Sequence, residues 1–150
     1  MGKIRKVILL VMLFASVIGI IYSLTALSTN IHAYKQSRTK YNEIREIYHE
    51  AFVQPDTDEH QALLEINDDY VGWLSVKGMN IDIDYPVVQT NDNEYYLNHN
   101  FYKEVDWAGA VFMDYRNDAD GLDDHMIIYA HNMKDGSMFG SLKDLLDADD

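Results

Sequence analysis

Cysteine is absent from this 150-residue sequence, and proline occurs only twice. Without cysteine, these residues can form no disulfide, thiolate-bound zinc site or iron–sulfur cluster, and they offer no thiol nucleophile. Basic residues are also scarce, because 12 Lys and Arg stand against 25 Asp and Glu. A surface that binds nucleic acid needs a basic footprint for the phosphates, so this composition argues against nucleic acid as a partner. By contrast, 11 Tyr, 5 Phe and 2 Trp supply the large apolar side chains of a folded chain.

An uncharged stretch of 21 residues, 7–27, lies near the N-terminus. It follows three basic residues: Lys3, Arg5 and Lys6. As a helix, such a stretch would cross the roughly 30 Å hydrocarbon layer of a bilayer. We expect a cytoplasmic N-terminus over 1–6 and a single-pass transmembrane signal anchor over 7–27, with the remainder extracellular, because flanking positive charge stays in the cytoplasm. A cleaved signal peptide is the alternative, since Ala26 and Ser28 resemble a small-x-small cleavage site.

Residues 28–58 are predicted to form an amphipathic stalk and linker. Apolar and aromatic side chains recur at helical spacing between Asn30 and Phe52, and charged side chains occupy the positions between them. Pro55 lies in the acidic run that follows, where it would end a helix because it lacks a backbone donor. We therefore place the start of the globular domain after this interruption, at residue 59.

The pattern after residue 59 changes to short elements. Strands are predicted over 73–77, 80–85, 110–115 and 126–130, and short helices over 62–66, 91–97 and 138–146. In the second strand Asp82 and Asp84 alternate with apolar residues, which predicts a half-buried strand. The run 126–130 is apolar on both faces, which predicts a central strand. Asn91 is the expected N-cap of the predicted helix 91–97. The predicted fold class is mainly β with N-terminal helices, or α+β by content.

Metal sites and serine nucleophiles find little support in the sequence. If Gly121 is aligned with the glycine of a calcium-binding EF-hand loop, Arg116 and Ile127 fall on ligand positions, which neither side chain can fill. The six histidines show no compact ligand spacing. Neither Ser137 nor Ser141 completes the G-x-S-x-G pattern of a serine hydrolase. We expect no metal and no cofactor.

His131 has the most suggestive position of the six histidines. It ends the most apolar predicted strand and opens a loop that contains Gly136. Rigid elements often present a functional side chain to a cleft at such a point. On a strand, Tyr129 would point to the same face as His131. From the pattern alone, a structural histidine is the alternative to a catalytic one.

Five segments, in order along the chain, closely resemble class B sortases. They are DYVGWLSV (69–76), IDYPVVQ (83–89), DNEYYL (92–97), FMDYRN (112–117) and IIYAHNMKDGSMF (127–139). The resemblance extends from about residue 62 to residue 147. It implies a sortase-type β-barrel on the outer surface of a Gram-positive cell.

The resemblance also implies an activity and a set of site residues. Class B sortases are membrane-anchored cysteine transpeptidases, in which a cysteine attacks the Thr carbonyl of a C-terminal sorting signal on a surface protein. A histidine acts as acid and base, an arginine stabilises the oxyanion, and an amine of the cell wall or of a pilin accepts the acyl group. By motif match, His131 is the catalytic histidine, and Asn93, Leu97 and Tyr129 line the sorting-signal groove. Core packing for Leu97 and helix capping for Asn93 are the alternatives.

Two departures from the family pattern qualify these expectations. The sequence has no counterpart of the family's cysteine and arginine, so we expect 59–150 to be the N-terminal part of a sortase domain, truncated before both residues and inactive alone. The barrel would then be incomplete. Ala130 stands where the family usually has glycine, and its methyl group would narrow the groove or shift the strand. The alternative function is a non-catalytic, membrane-tethered binding or scaffold protein with a decayed sortase half-fold.

Overall fold

A computed structural model describes residues 2–53, 58–78, 80–121 and 123–145 of the chain. The chain divides into two compact units, Met1–Gln36 and Ser37–Asp150. Helix α1 (Gly2–Val53) supplies the described residues of the first unit and the first residues of the second. The predicted interruption at Pro55 lies outside the described residues.

The first unit is an apolar helix with its side chains exposed on all sides. By length and composition it is apolar enough to cross a membrane, with a mean hydropathy of 2.7 over its most apolar window. Leucine, isoleucine, valine and phenylalanine side chains along it are largely exposed, which is costly in water and favourable in a bilayer. The predicted anchor 7–27 lies within this helix, and its membrane crossing stays a prediction.

The second unit combines helices with a small mixed sheet. Its further elements are α2 (Glu59–Ile66), β1 (Tyr70–Gly78), β2 (Ile81–Val88), β3 (Val111–Met113), β4 (Ile128–Tyr129) and two 3₁₀ helices, Tyr95–Leu97 and Gly140–Leu145. The strand order is β1-β2-β3-β4, with β1 and β4 antiparallel to their neighbours and β2 parallel to β3. The four strands have nine, eight, three and two residues. The fold is therefore α+β by content, rather than mainly β.

The second half of α1 packs on this sheet through the apolar stripe that the sequence predicts. Tyr41 and Ile44 are buried, and the ring of Tyr41 meets that of Tyr85 edge to face, with centroids 5.4 Å apart. Tyr48 stacks on Trp73 with ring centroids 3.9 Å apart and planes only 4° from parallel. This part of α1 forms a helical layer of the second unit.

Strand β2 is more deeply buried than its alternating sequence predicts. Asp84 was expected on a solvent face but is only 7% exposed. The side chain of His49 from α1 covers it, with Nε2 2.9 Å from Asp84 Oδ2, and Trp73 Nε1 donates to Oδ1 at 2.8 Å. The prediction of a half-buried strand is therefore wrong at this position, because alternation cannot reveal a helix that covers the polar face.

Strand β4 is an edge strand of the described sheet, so the prediction of a central strand is wrong for the part of the chain that the structure describes. Its described pairing is with β3 alone, through Met113 with Ile128 and Phe112 with Tyr129. Met126, just before the strand, is largely exposed. An apolar run shows that a strand has two apolar faces, but it does not show which neighbours pair with the strand.

Truncating Ile44 should loosen the helical layer. Its side chain is completely buried, so Ile44→Ala should leave a cavity and lower the free energy of unfolding by about 2 to 5 kcal/mol. Ile66→Ala is the matched control, because that side chain is 36% exposed and should cost much less. Urea unfolding of the detergent-solubilised chain, followed by tryptophan fluorescence, measures both. Equal losses in the two variants would contradict the packing of α1.

Candidate functional site

The candidate site lies where β4 ends beside the first 3₁₀ helix. His131 follows β4 by two residues, is half-buried, and its Nε2 lies 2.7 Å from the backbone carbonyl oxygen of Leu97. Tyr129, the last residue of β4, packs against Phe112 with ring centroids 5.3 Å apart. The fold thus brings His131 and Leu97 together although 34 positions separate them along the chain.

A tight loop fixes the backbone at His131. The carbonyl of His131 accepts a hydrogen bond from Phe139 N at 3.0 Å, which closes the loop between them. Met133 and Met138 bury their side chains beneath it. A Cβ added at Gly140 would lie 2.1 Å from the carbonyl oxygen of Met133, so only glycine allows this close approach.

A buried carboxylate gathers the polar side chains on the other side of the site. Asp114 directly follows β3, and its side chain is 1% exposed. Its Oδ2 accepts hydrogen bonds from the Tyr129 hydroxyl and the Asn93 amide, each at 2.9 Å. Arg116 donates to both carboxylate oxygens from Nε and Nη2 at 2.8 Å, and to Oδ1 from its backbone N–H at 2.9 Å. The Asn93 side-chain oxygen accepts from Tyr115 N at 3.0 Å.

These contacts set the charge states of the cluster. The Arg116 guanidinium and backbone N–H, together with the Tyr129 and Asn93 donors, hold the pKa of Asp114 far below its usual range. The hydrogen bond to Asp114 raises the pKa of the Tyr129 hydroxyl, with burial as a second cause. The pKa of Arg116 is raised by the same carboxylate. At physiological pH the cluster therefore holds an ionised Asp114, a charged Arg116 and a neutral Tyr129 that remains a hydrogen-bond donor.

Asp92, and not Asn91 as the sequence predicts, binds the backbone at the start of the first 3₁₀ helix, whose N-cap residue is Glu94. Asp92 Oδ1 accepts from the backbone N–H groups of Glu94 and Tyr95, each at 2.8 Å. These two bonds lower the pKa of Asp92. The predicted helix over 91–97 is only the 3₁₀ helix Tyr95–Leu97.

The contacts of Asn93 and Leu97, two of the residues predicted to line a groove, bear on the alternatives of helix capping and core packing. Asn93 uses its amide on Asp114 and on Tyr115 N, so helix capping does not account for it. Leu97 is 43% exposed, so core packing does not account for its side chain. The four predicted site residues form two sets of contacts. His131 contacts Leu97, and Asn93 and Tyr129 both bind Asp114.

Sequence reasoning missed the residues that hold the site together. Asp114 and Arg116 lie in the FMDYRN segment that contributed to the resemblance, but their roles depend on contacts with Asn93 and Tyr129, which are 21 and 15 positions away from Asp114. The local signal that was available is an acid at the end of an apolar strand with a base two residues later. Among the residues that the structure describes, no group of three or more His, Cys, Asp or Glu side chains is placed to hold a metal ion.

Comparison with known sequences finds no matching family model, but it finds similar proteins. Sortase B of Listeria monocytogenes is 51% identical over 92 residues, which are 61% of this chain and 37% of that protein. Sortase B of Staphylococcus aureus is 32% identical over 150 aligned residues, which cover 96% of this chain and 59% of that protein. The chain therefore spans between about a third and three fifths of the length of these relatives.

Solved structures agree with the sequence comparison. Sortase B from Bacillus anthracis, in complex with AAEK1, superposes with a TM-score of 0.70 and 40% identity, covering 77% of this chain and 56% of that one. A Staphylococcus aureus sortase B–substrate complex superposes with a TM-score of 0.66 and 33% identity, covering 73% of this chain and 51% of that one. In both cases the similarity extends over about three quarters of this chain, and only about half of the larger protein is matched.

Acid should weaken the fold through Asp114. A carboxylate with a depressed folded pKa contributes stability that is complete above its unfolded pKa, near 4, and that is lost as the pH falls further. At pH 7 Asp114→Asn should therefore unfold more easily than the parent chain, and the difference should narrow below about pH 4. Asp82→Asn, at an exposed position, is the control and should track the parent. Urea midpoints measured from pH 7 to pH 3 test this, and a gap that is constant across the range would contradict it.

Proposed function

Because this chain belongs to the class B sortase family, we propose that it forms part of the catalytic domain of a membrane-anchored cysteine transpeptidase. In the proposed reaction, a cysteine thiolate attacks the Thr carbonyl of a C-terminal sorting signal. The resulting thioester then passes its acyl group to an amine of the cell wall or of a pilin. The chain spans about half the length of the sortases that it matches, so this activity is proposed for the whole enzyme and not for these residues alone.

The single observation that carries the proposal is the placement of His131. Its imidazole stands at the end of an edge strand, half-buried, with one ring nitrogen held by Leu97 and the backbone fixed by Phe139. A held imidazole is suited to take the proton of a thiol and to return a proton to the leaving amine. The nucleophile is the missing component, since the sequence contains no cysteine. These 150 residues alone are therefore proposed to be inactive.

We assign Asn93, Leu97 and Tyr129 to the wall of the sorting-signal groove. Leu97 has an exposed apolar side chain, which suits an apolar residue of a signal peptide, and its backbone carbonyl contacts His131. Asn93 and Tyr129 are both bound to Asp114, so the polar part of the wall is rigid before a peptide arrives. The structural neighbour solved as a sortase B–substrate complex supports a substrate-binding role for this fold.

The proposed anchor is the helical segment 7–27 of α1. Its hydropathy and length suit a bilayer. Two of its polar side chains are satisfied inside the helix, because the hydroxyls of Ser16 and Thr25 donate to backbone carbonyls three residues earlier at 2.8 Å. Such bonds remove the cost of burying a hydroxyl in hydrocarbon. The basic residues at 3, 5 and 6 support the proposal that the preceding end is cytoplasmic and the second unit extracellular.

Topology can be tested on intact Gram-positive cells that express the full chain. Protease added outside should digest the second unit, because that unit is proposed to be extracellular. Replacing the three basic residues together, Lys3→Glu, Arg5→Glu and Lys6→Glu, should reduce the fraction digested, because the orientation signal is lost. Lys134→Glu, at an exposed position of the second unit, should leave digestion unchanged. A second unit that is protected in intact cells and cleaved only after permeabilisation would contradict the proposed orientation.

Activity can be tested in a chimera that joins this chain to the C-terminal half of Listeria monocytogenes sortase B. We propose that this half carries the cysteine and the arginine that the class B pattern requires. The chimera should cleave a fluorophore-quenched sorting peptide, and the 150-residue chain should not. His131→Ala should lower turnover by about a hundred- to ten-thousand-fold or more, because general acid–base help is then lost. His125→Ala, in an exposed turn, is the matched control and should retain activity.

Two results would contradict the proposal. One is turnover by the 150-residue chain above that of its own His131→Ala variant. The other is unchanged turnover in the chimera that carries His131→Ala. A folded chimera that binds the sorting peptide without cleaving it would favour the scaffold alternative instead.

A further inference from the structure

We propose that Tyr41 and Gly109 are positioning residues for His131, and that they act through the backbone carbonyl of Leu97. The inference rests on the proposed catalytic role of His131, because a fixed imidazole matters only where a proton is moved. It goes beyond that role because it specifies which ring nitrogen of His131 is free to accept a proton, and which distant residues determine the tautomer. Three contacts connect the imidazole to helix α1.

The first contact sets the tautomer of His131. Its Nε2 lies 2.7 Å from the carbonyl oxygen of Leu97, which can only accept a hydrogen bond. A neutral imidazole has a single N–H, so Nε2 must carry the proton in this arrangement. The lone pair is then on Nδ1. Nδ1 is therefore the nitrogen that accepts a proton from the nucleophile and later returns it.

The second contact fixes the Leu97 carbonyl. Gly109 has a φ of +61°, and a Cβ added there would lie 2.4 Å from the carbonyl oxygen of Tyr96 and 2.8 Å from that of Leu97. Both distances are shorter than side chains tolerate, and the contacted atoms are backbone. The next residue, Ala110, donates its N–H to the Tyr96 carbonyl at 3.0 Å. The end of the first 3₁₀ helix therefore rests directly on the Gly109 backbone.

The third contact fixes Gly109 itself. The hydroxyl of Tyr41, from α1, donates to the Gly109 carbonyl at 2.7 Å. This hydroxyl is buried, and burial raises the pKa of Tyr41 well above its usual range, so it stays a donor at all physiological pH values. The Tyr41 ring is held in turn by edge-to-face packing on Tyr85. A hydroxyl on the helical layer thus fixes the peptide on which the Leu97 carbonyl rests.

The experiment measures the tautomer of His131 in the full 150-residue chain, held in detergent micelles and labelled with ¹⁵N-histidine. Long-range ¹H–¹⁵N spectra at pH 9, where imidazole side chains are neutral, distinguish the Nε2–H form from the Nδ1–H form. His131→Gln identifies the signal among the six histidines. The parent chain should show His131 in the Nε2–H form alone. An Nδ1–H form in the parent would overturn the inference.

Gly109→Ala should displace the Leu97 carbonyl, so the single tautomer should be lost and both forms of His131 should appear. Gly72→Ala is the matched control, because a Cβ added at Gly72 meets no atom within 4 Å and should leave His131 unchanged. The indole N–H signal of Trp73, which is bonded to Asp84 at 2.8 Å, reports whether each variant is folded. A folded Gly109→Ala variant that keeps the single tautomer would overturn the inference.

Tyr41→Phe provides a second test that keeps the aromatic ring and removes only the hydroxyl bond to Gly109. It should give a smaller population of the second tautomer than Gly109→Ala, with the Trp73 signal intact. If Gly109→Ala does not fold, an unchanged tautomer in Tyr41→Phe overturns the inference. These measurements need no turnover, so an inactive chimera with the expected tautomers would reject the proposed function and leave the positioning intact.

Discussion

A carboxylate enclosed by protein needs a hydrogen-bond donor at each oxygen. The candidate site is arranged around Asp114 because its side chains supply those donors. Its donors come from three places: Asn93 before the first 3₁₀ helix, Tyr129 at the end of β4, and Arg116 in the turn after β3. Removing one donor would leave a buried charge incompletely compensated, which is costly. Two of the residues proposed to line the groove are therefore held by a group that was not itself predicted to belong to the site.

The same physical requirement is met at a second buried carboxylate. Asp84 on β2 is also buried, and it is met by His49 from α1 and by the indole of Trp73. Together with donation by Arg45 to the Asp84 carbonyl at 2.8 Å, these bonds attach the helical layer to the first two strands. The two buried carboxylates thus have different roles. Asp84 holds helix α1, and Asp114 holds the loops of the candidate site. Tyr41 connects the helical layer to the candidate site, because its hydroxyl donates to the Gly109 carbonyl.

Local features of this fold could be predicted from the sequence, and long-range ones could not. Strands β1 and β2 contain nearly all of the predicted strands 73–77 and 80–85, because short runs of alternating residues are a local signal. The placement of His131 just after a strand was local in the same way. The parallel pairing of β2 with β3, through Val87 with Val111, depends on segments more than twenty residues apart, and no period in the sequence encodes it. Burial of Asp84 was missed for the same reason.

Orientation and reactivity are separate contributions to a transpeptidase site, and the proposed function assigns the first of them to this chain. The hydrogen bond from His131 to Leu97 and the support from Gly109 and Tyr41 are made entirely by residues of the second unit. The conformational entropy of the imidazole side chain is therefore lost when this unit folds, before substrate or nucleophile arrives. If the proposed function holds, a thiol brought to this edge meets an imidazole that already presents a free Nδ1. The remaining contribution to the rate is then the approach of the thiolate and the carbonyl, together with stabilisation of the oxyanion.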